Sequence, residues 1–138
     1  LDIEYLPAVS LNGINVLSKL KTVFSLSIKD QKITDNGLQE MSKMEGLSYL
    51  QLNNTRGYTA AGFYHLTRLR NLKVLEITGS PLDFECIEAI SKMASLNSLS
   101  ISVQEPQRLE LAFMRLKQIR TNLRASLATS FSGFSMEE

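Results

Sequence analysis

Residues 33–55 read ITDNGLQEMSKMEGLSYLQLNNT, and their pattern returns along the chain at a spacing of 24 or 25. The strand-like part of the stretch has the form apolar-x-x-apolar-x-apolar. Its clear copies are Val23 to Ile28, Leu47 to Leu52, Leu72 to Ile77 and Leu96 to Ile101. Alternation over the last four residues of each copy marks a half-buried strand with an inward pair: Leu26/Ile28, Leu50/Leu52, Leu75/Ile77 and Leu99/Ile101. A recurrence of this length signals stacked repeat units. Leu1 and Ile3 fall where a preceding unit would put its inward pair, so the sequence reads as starting inside a longer array.

The other half of each unit steps by three. Ile14, Leu17, Leu20 and Val23 are followed by Leu38, Met41, Met44 and Leu47, by Phe63, Leu66, Leu69 and Leu72, and by Ile87, Ile90, Met93 and Leu96. That spacing predicts a short helix with one buried stripe. Ser10, Thr34, Thr59 and Asp83 share the column at the helix start, and each has a side-chain oxygen able to accept a backbone N–H. The apolar residues before them, Val9, Ile33, Tyr58 and Leu82, are placed to pack under the first turn. Three residues after each cap comes Gly13, Gly37, Gly62 or Cys86, a column of small residues that predicts close packing. Cys86 therefore reads as a small buried hydrophobe.

LSYLQLNNT (47–55) and LKVLEITGS (72–80) resemble the strand segment of leucine-rich repeats, and residues 33–52 are similar to the class whose helix begins Ile-Thr-Asp-x-Gly-Leu. That class is frequent in F-box-type substrate receptors and bacterial repeat proteins. The resemblance covers residues 1–103 and implies an α/β solenoid, with a parallel sheet on a concave face and short helices on a convex one. It also implies an asparagine ladder at the turn after each strand. Here that column holds Leu6, Gln31, Thr55 and Ser80, so other groups must satisfy the turns. A weaker similarity, through LTRLRNLKVLEI and ISKMASLNSLSISV, is to the repeat region of plant immune receptors.

Beyond 103 the pattern changes at Gln104-Glu105-Pro106. Leu109, Phe113, Leu116, Ile119, Leu123 and Leu127 keep helical spacing through 104–128. Two readings stand: an amphipathic C-terminal helix that closes the core, or a divergent fifth repeat with a strand near 122–127. The remainder, 129–138, is small and polar apart from Phe131, Phe134 and Met136, and reads as a flexible tail.

Composition narrows function mainly by exclusion. The 138 residues are 43% hydrophobic with net charge +1, and no apolar run is long enough for a membrane span. No signal peptide is visible, and a lone cysteine excludes an internal disulfide, so an intracellular location is expected. One histidine, His65, expected to face solvent, and one scaffold cysteine make a poor nucleophile–base pair. There is no phosphate loop, no metal-ligand spacing and no recognisable cofactor or small-molecule site, so no catalysis is expected. Arg68, Arg70 and Lys73 cluster at a helix end, and Arg108, Arg115, Lys117, Arg120 and Arg124 lie in the C-terminal segment. Without a regular basic row along the repeats, they read as solvated faces rather than a nucleic-acid surface.

What remains is the outward set of strand residues. They form rows: Ser25, Tyr49, Val74, Ser98; Asp2, Ser27, Gln51, Glu76, Ser100; and Glu4, Lys29, Asn53, Thr78, Ser102. Lys29, Tyr49, Gln51, Asn53, Val74 and Glu76 are the candidate partner-binding residues, a mixed patch with one aromatic anchor. The expected function is a protein–protein interaction scaffold. The alternatives are a ligand-sensing repeat region of an immune receptor and the targeting repeats of a bacterial effector enzyme.

Overall fold

The computed structural model describes residues 2–3 and 11–129. Strand and helix alternate throughout: β1 (Asp2–Ile3), α1 (Leu11–Ser18), β2 (Ser25–Lys29), α2 (Asp35–Met41), β3 (Tyr49–Asn53), α3 (Ala60–Leu66), β4 (Val74–Thr78), α4 (Phe84–Ser91), β5 (Ser98–Val103), α5 (Glu110–Ile119) and β6 (Arg124–Thr129). A short 3₁₀ turn, Pro106–Arg108, precedes α5. The strands form one parallel sheet in the order β1-β2-β3-β4-β5-β6. Each helix packs on the next, α1 on α2 through α4 on α5.

The register follows from the spacing of the apolar pairs. Leu26 and Ile28 align with Leu50 and Leu52, then with Leu75 and Ile77, then with Leu99 and Ile101. All eight are buried in one core cluster with the helix stripes. At the first edge the register differs from the sequence rows. Asp2 pairs with Ser25 and Ile3 with Leu26, two residues from the expected Asp2–Ser27 alignment. A slip of two keeps strand parity.

The helix starts follow their capping chemistry. Thr34 accepts from the Gly37 N–H, Thr59 from the Ala61 N–H and Asp83 from the Cys86 N–H. The small-residue column is close-packed. A Cβ on Gly62 would lie 2.6 Å from both Asp35 Oδ1 and Leu38 Cδ1. Leaving β2, β3 and β4, the chain turns through Asp30, Asn54 and Gly79, with φ of 56°, 51° and 65°. Asp, Asn and Gly are the residues that best tolerate this left-handed conformation.

Hydroxyls hold the turns where the asparagine ladder is missing. The buried Thr55 N–H donates to Ser80 Oγ (3.0 Å), and the two side-chain oxygens lie 3.1 Å apart. Thr55 Oγ1 also lies 3.3 Å from the Tyr58 hydroxyl.

The segment after 103 is a further repeat unit rather than a closing helix. α5 is followed by β6, which pairs with β5 so that Ala125 and Leu127 continue the inward columns of Leu99 and Ile101. Two residues of the helix stripes depart from the expected burial. Leu20 and Ile119, in one column at the first and last helix, are 41% and 59% exposed, while Met44, Leu69 and Met93 between them are buried. Each end helix has a neighbouring helix on one side only. Leu1, Glu4, Leu6, Val9, Ser10 and the 130–138 tail lie outside the described residues.

Candidate functional site

The helices cover the face of the sheet that carries the inward pairs. No described helix covers the opposite face, whose residues alternate with the core along β2 to β5. Parallel register brings the candidate residues into adjoining rows. Tyr49 lies beside Val74, Gln51 beside Glu76, and Lys29 beside Asn53, with Thr78 next in that row. Lys29 is exposed at the end of β2, and the other five are half-buried.

Three of the six are joined directly. The Tyr49 hydroxyl donates to Glu76 Oε2 at 2.6 Å, and Gln51 Nε2 donates to the same oxygen at 3.3 Å. Ser27, which belongs to the Gln51 row but not to the candidate set, donates its hydroxyl to Gln51 Oε1 at 2.7 Å. The result is a chain of hydrogen bonds across β2, β3 and β4 that ends on one carboxylate. Asn53 and Val74 border this chain and Lys29 stands at its corner. Ser27 could have been found from the sequence, because a hydroxyl one register position from an amide is placed to orient it.

Beyond Glu76 the face is low. Ser98, Ser100 and Ser102 align with Val74, Glu76 and Thr78. Arg124, Ser126 and Ala128 complete the rows on β6.

Nucleophilic chemistry finds little support in the other polar residues. Cys86 is buried, and burial first, then the neighbouring Asp83 and Glu85 charges, push its thiol up to about 12. At neutral pH it is a thiol and not the reactive thiolate. His65 lies on α3 and is half-buried rather than solvent-facing, where its field helps to hold Asp35 ionised. No group of His, Cys, Asp and Glu among the described residues could hold a metal ion. No described helix is long and apolar enough to cross a membrane.

A cleft of about 390 Å³ opens between Pro81, Leu82, Val103 and the 3₁₀ turn. Its two charged residues, Glu105 and Arg108, pair with each other. The basic residues of the last unit are likewise not a single stripe. Arg120, expected on a solvated face, instead donates to the carbonyls of Ser91, Met93, Ala94 and Leu96.

Two structural residues escaped the sequence rows. Besides Arg120, Asp35 reaches forward one unit. It accepts from the Thr59 N–H and hydroxyl, both at 2.7 Å, and from the Gly62 N–H at 3.1 Å. Partial burial opposes its ionisation, but these hydrogen bonds outweigh it and hold the carboxyl below its ordinary 3.8.

No protein-family model matches the chain, and no curated protein matches it.

Proposed function

We propose that this chain is part of a leucine-rich repeat solenoid whose open, concave strand face binds another protein, with no catalysis of its own. The family reading is supported by the recurrence of 24 or 25 residues, which becomes the strand register, and by capped helices in every fully described unit from α2 to α4. The Thr55–Ser80 hydroxyl pair departs from it, since it stands in the column where the family carries its asparagine ladder.

One observation carries the binding reading. On the sheet face that no described helix covers, Tyr49, Gln51 and Glu76 are held in fixed orientation by each other and by Ser27. Ordering such side chains in advance lowers the entropy cost of association. A tyrosine with a polar tip is a favoured interface anchor. The buried, protonated Cys86 and its separation in column from His65 support a non-catalytic role. The dispersal of the cations, with Arg120 and Arg108 occupied within the protein, supports a protein over a nucleic acid as partner. An intracellular setting belongs to the same proposal and rests on the single cysteine.

The test is affinity capture with the wild-type chain and with a Tyr49→Ala/Glu76→Arg double variant shown by circular dichroism to be folded. The expected result is a partner retained by the first and lost by the second. Equal recovery of every bound protein by both would overturn the proposal.

A further inference from the structure

Glu76 is a carboxylate left half-used. Both of its hydrogen bonds, from Tyr49 and Gln51, fall on Oε2, and among the described residues Oε1 takes none. Among the described residues no lysine or arginine pairs with it; Lys43–Glu40 and Arg108–Glu105 are ion pairs elsewhere in the protein. From β2 to β6 it is the only carboxylate among the strand positions of that face.

The ground beside it is clear. Its cross-strand neighbour on β5 is Ser100, followed on β6 by Ser126. Among the described residues, a side chain approaching from that direction meets two hydroxyls. The cations of the face stand away from the centre: Lys29 at the last position of β2 and Arg124 at the first of β6, both exposed and at opposite corners. Each is two strands from Glu76, about 10 Å across the sheet.

We infer that the open face recognises its protein partner through a basic side chain, arginine above lysine, docked on Oε1 of Glu76. This rests on the protein-binding proposal above and deepens it. Tyr49 and Gln51 fix the carboxylate plane before the partner arrives, and a guanidinium fork suits a carboxylate of fixed plane. The serine floor lets backbone approach closely enough for a side chain to reach inward.

The experiment pans a random peptide library displayed on phage against the full chain. Selected peptides are then synthesised and titrated against wild type, Glu76→Gln, Glu76→Lys and Ser100→Arg. The expected outcome is a shared arginine or lysine among peptides that Ser100→Arg excludes. Their affinity should fall about tenfold or more with Glu76→Gln, as for the loss of a charge-assisted hydrogen bond. Replacing the peptide's arginine by citrulline should cost wild-type binding to a similar degree, and Glu76→Lys should select acidic peptides instead. Peptides excluded by Ser100→Arg that share no basic residue and bind Glu76→Gln unchanged would overturn the inference while leaving the binding surface intact. Failure to recover any peptide sensitive to Ser100→Arg would overturn both.

Discussion

The joint between α2 and α3 and the joint between α4 and α5 solve one problem with opposite chemistry. Helix ends leave backbone groups without partners. At the first joint an acid from the preceding unit, Asp35, reaches the donors at the start of α3. At the second a base from the following unit, Arg120, gathers the carbonyls at and beyond the end of α4. Each charge suits the dipole of the helix end it serves. The packing differs as well. Gly62 at the first joint leaves no space for a Cβ, whereas its column-mate at the second is Ala112, beside a small cleft of about 80 Å³. The stack is tight in the middle and looser toward its last unit, where a single arginine closes what packing does not.

The largest effect expected from this contrast comes from one substitution made twice in one column. Phe63 is fully buried, edge-on to Tyr58 at 5.1 Å between centroids. Phe63→Ala should cost about 3–5 kcal/mol. Phe113, its counterpart on α5, is also buried but lines an open cleft of about 400 Å³ with Met114 and Leu127, so Phe113→Ala should cost less, about 2–3 kcal/mol. Denaturant titration of both variants checks the pair, and equal losses would remove the distinction between middle and end.

Next comes Arg120→Met, which leaves several part-buried carbonyls without a donor and should cost about 2–3 kcal/mol. Amide exchange should show α5 and β6 losing protection before the middle strands. Protection lost evenly over the sheet would mean that the last unit is not the weaker one.

Gly62→Ala follows, at about 1–3 kcal/mol, because the added methyl displaces Asp35 or Leu38. The reverse change at the other joint, Ala112→Gly, should cost about 1 kcal/mol through helix propensity alone. Thermal melts of the two would separate steric from conformational origin.

The smallest effect is a pH dependence. The folded-state pKa of Asp35 lies below its ordinary 3.8, so its contribution is fully present above that value and lost as pH falls through the lower folded one. Wild type should exceed Asp35→Asn in stability at pH 6, with the gap closing in acid. A gap unchanged down to pH 2 would show that the Asp35 charge contributes nothing.

The core was legible in the sequence because burial repeats. A residue such as Leu50 has the same neighbours one unit on, so periodicity reports its environment. Leu20 and Ile119 broke the rule where the repeat runs out of neighbours and the column loses its cover. Asp35 and Arg120 were hidden for a different reason. Their work crosses from one unit to the next and is done once, so no column announces it. Asp35 even lies inside the motif that carries the family resemblance, which gave its place but not its job. The candidate face was legible as rows of residues, since strand parity dictates which side chains point outward. The direction of the hydrogen bonds onto Glu76 was not, because it depends on rotamers that a sequence row does not contain.

The even register has a mechanical consequence. From β2 to β6 each strand pairs with the next at a spacing of 24 to 26 residues, as in the Ser27–Gln51 and Ser126–Ser100 contacts, so no pairing among the described strands skips a unit. Stretched between its termini, such a stack yields as a zipper and not as a knot. Each released unit adds roughly 80–90 Å of slack, and force–extension traces should show a short ladder of nearly equal steps.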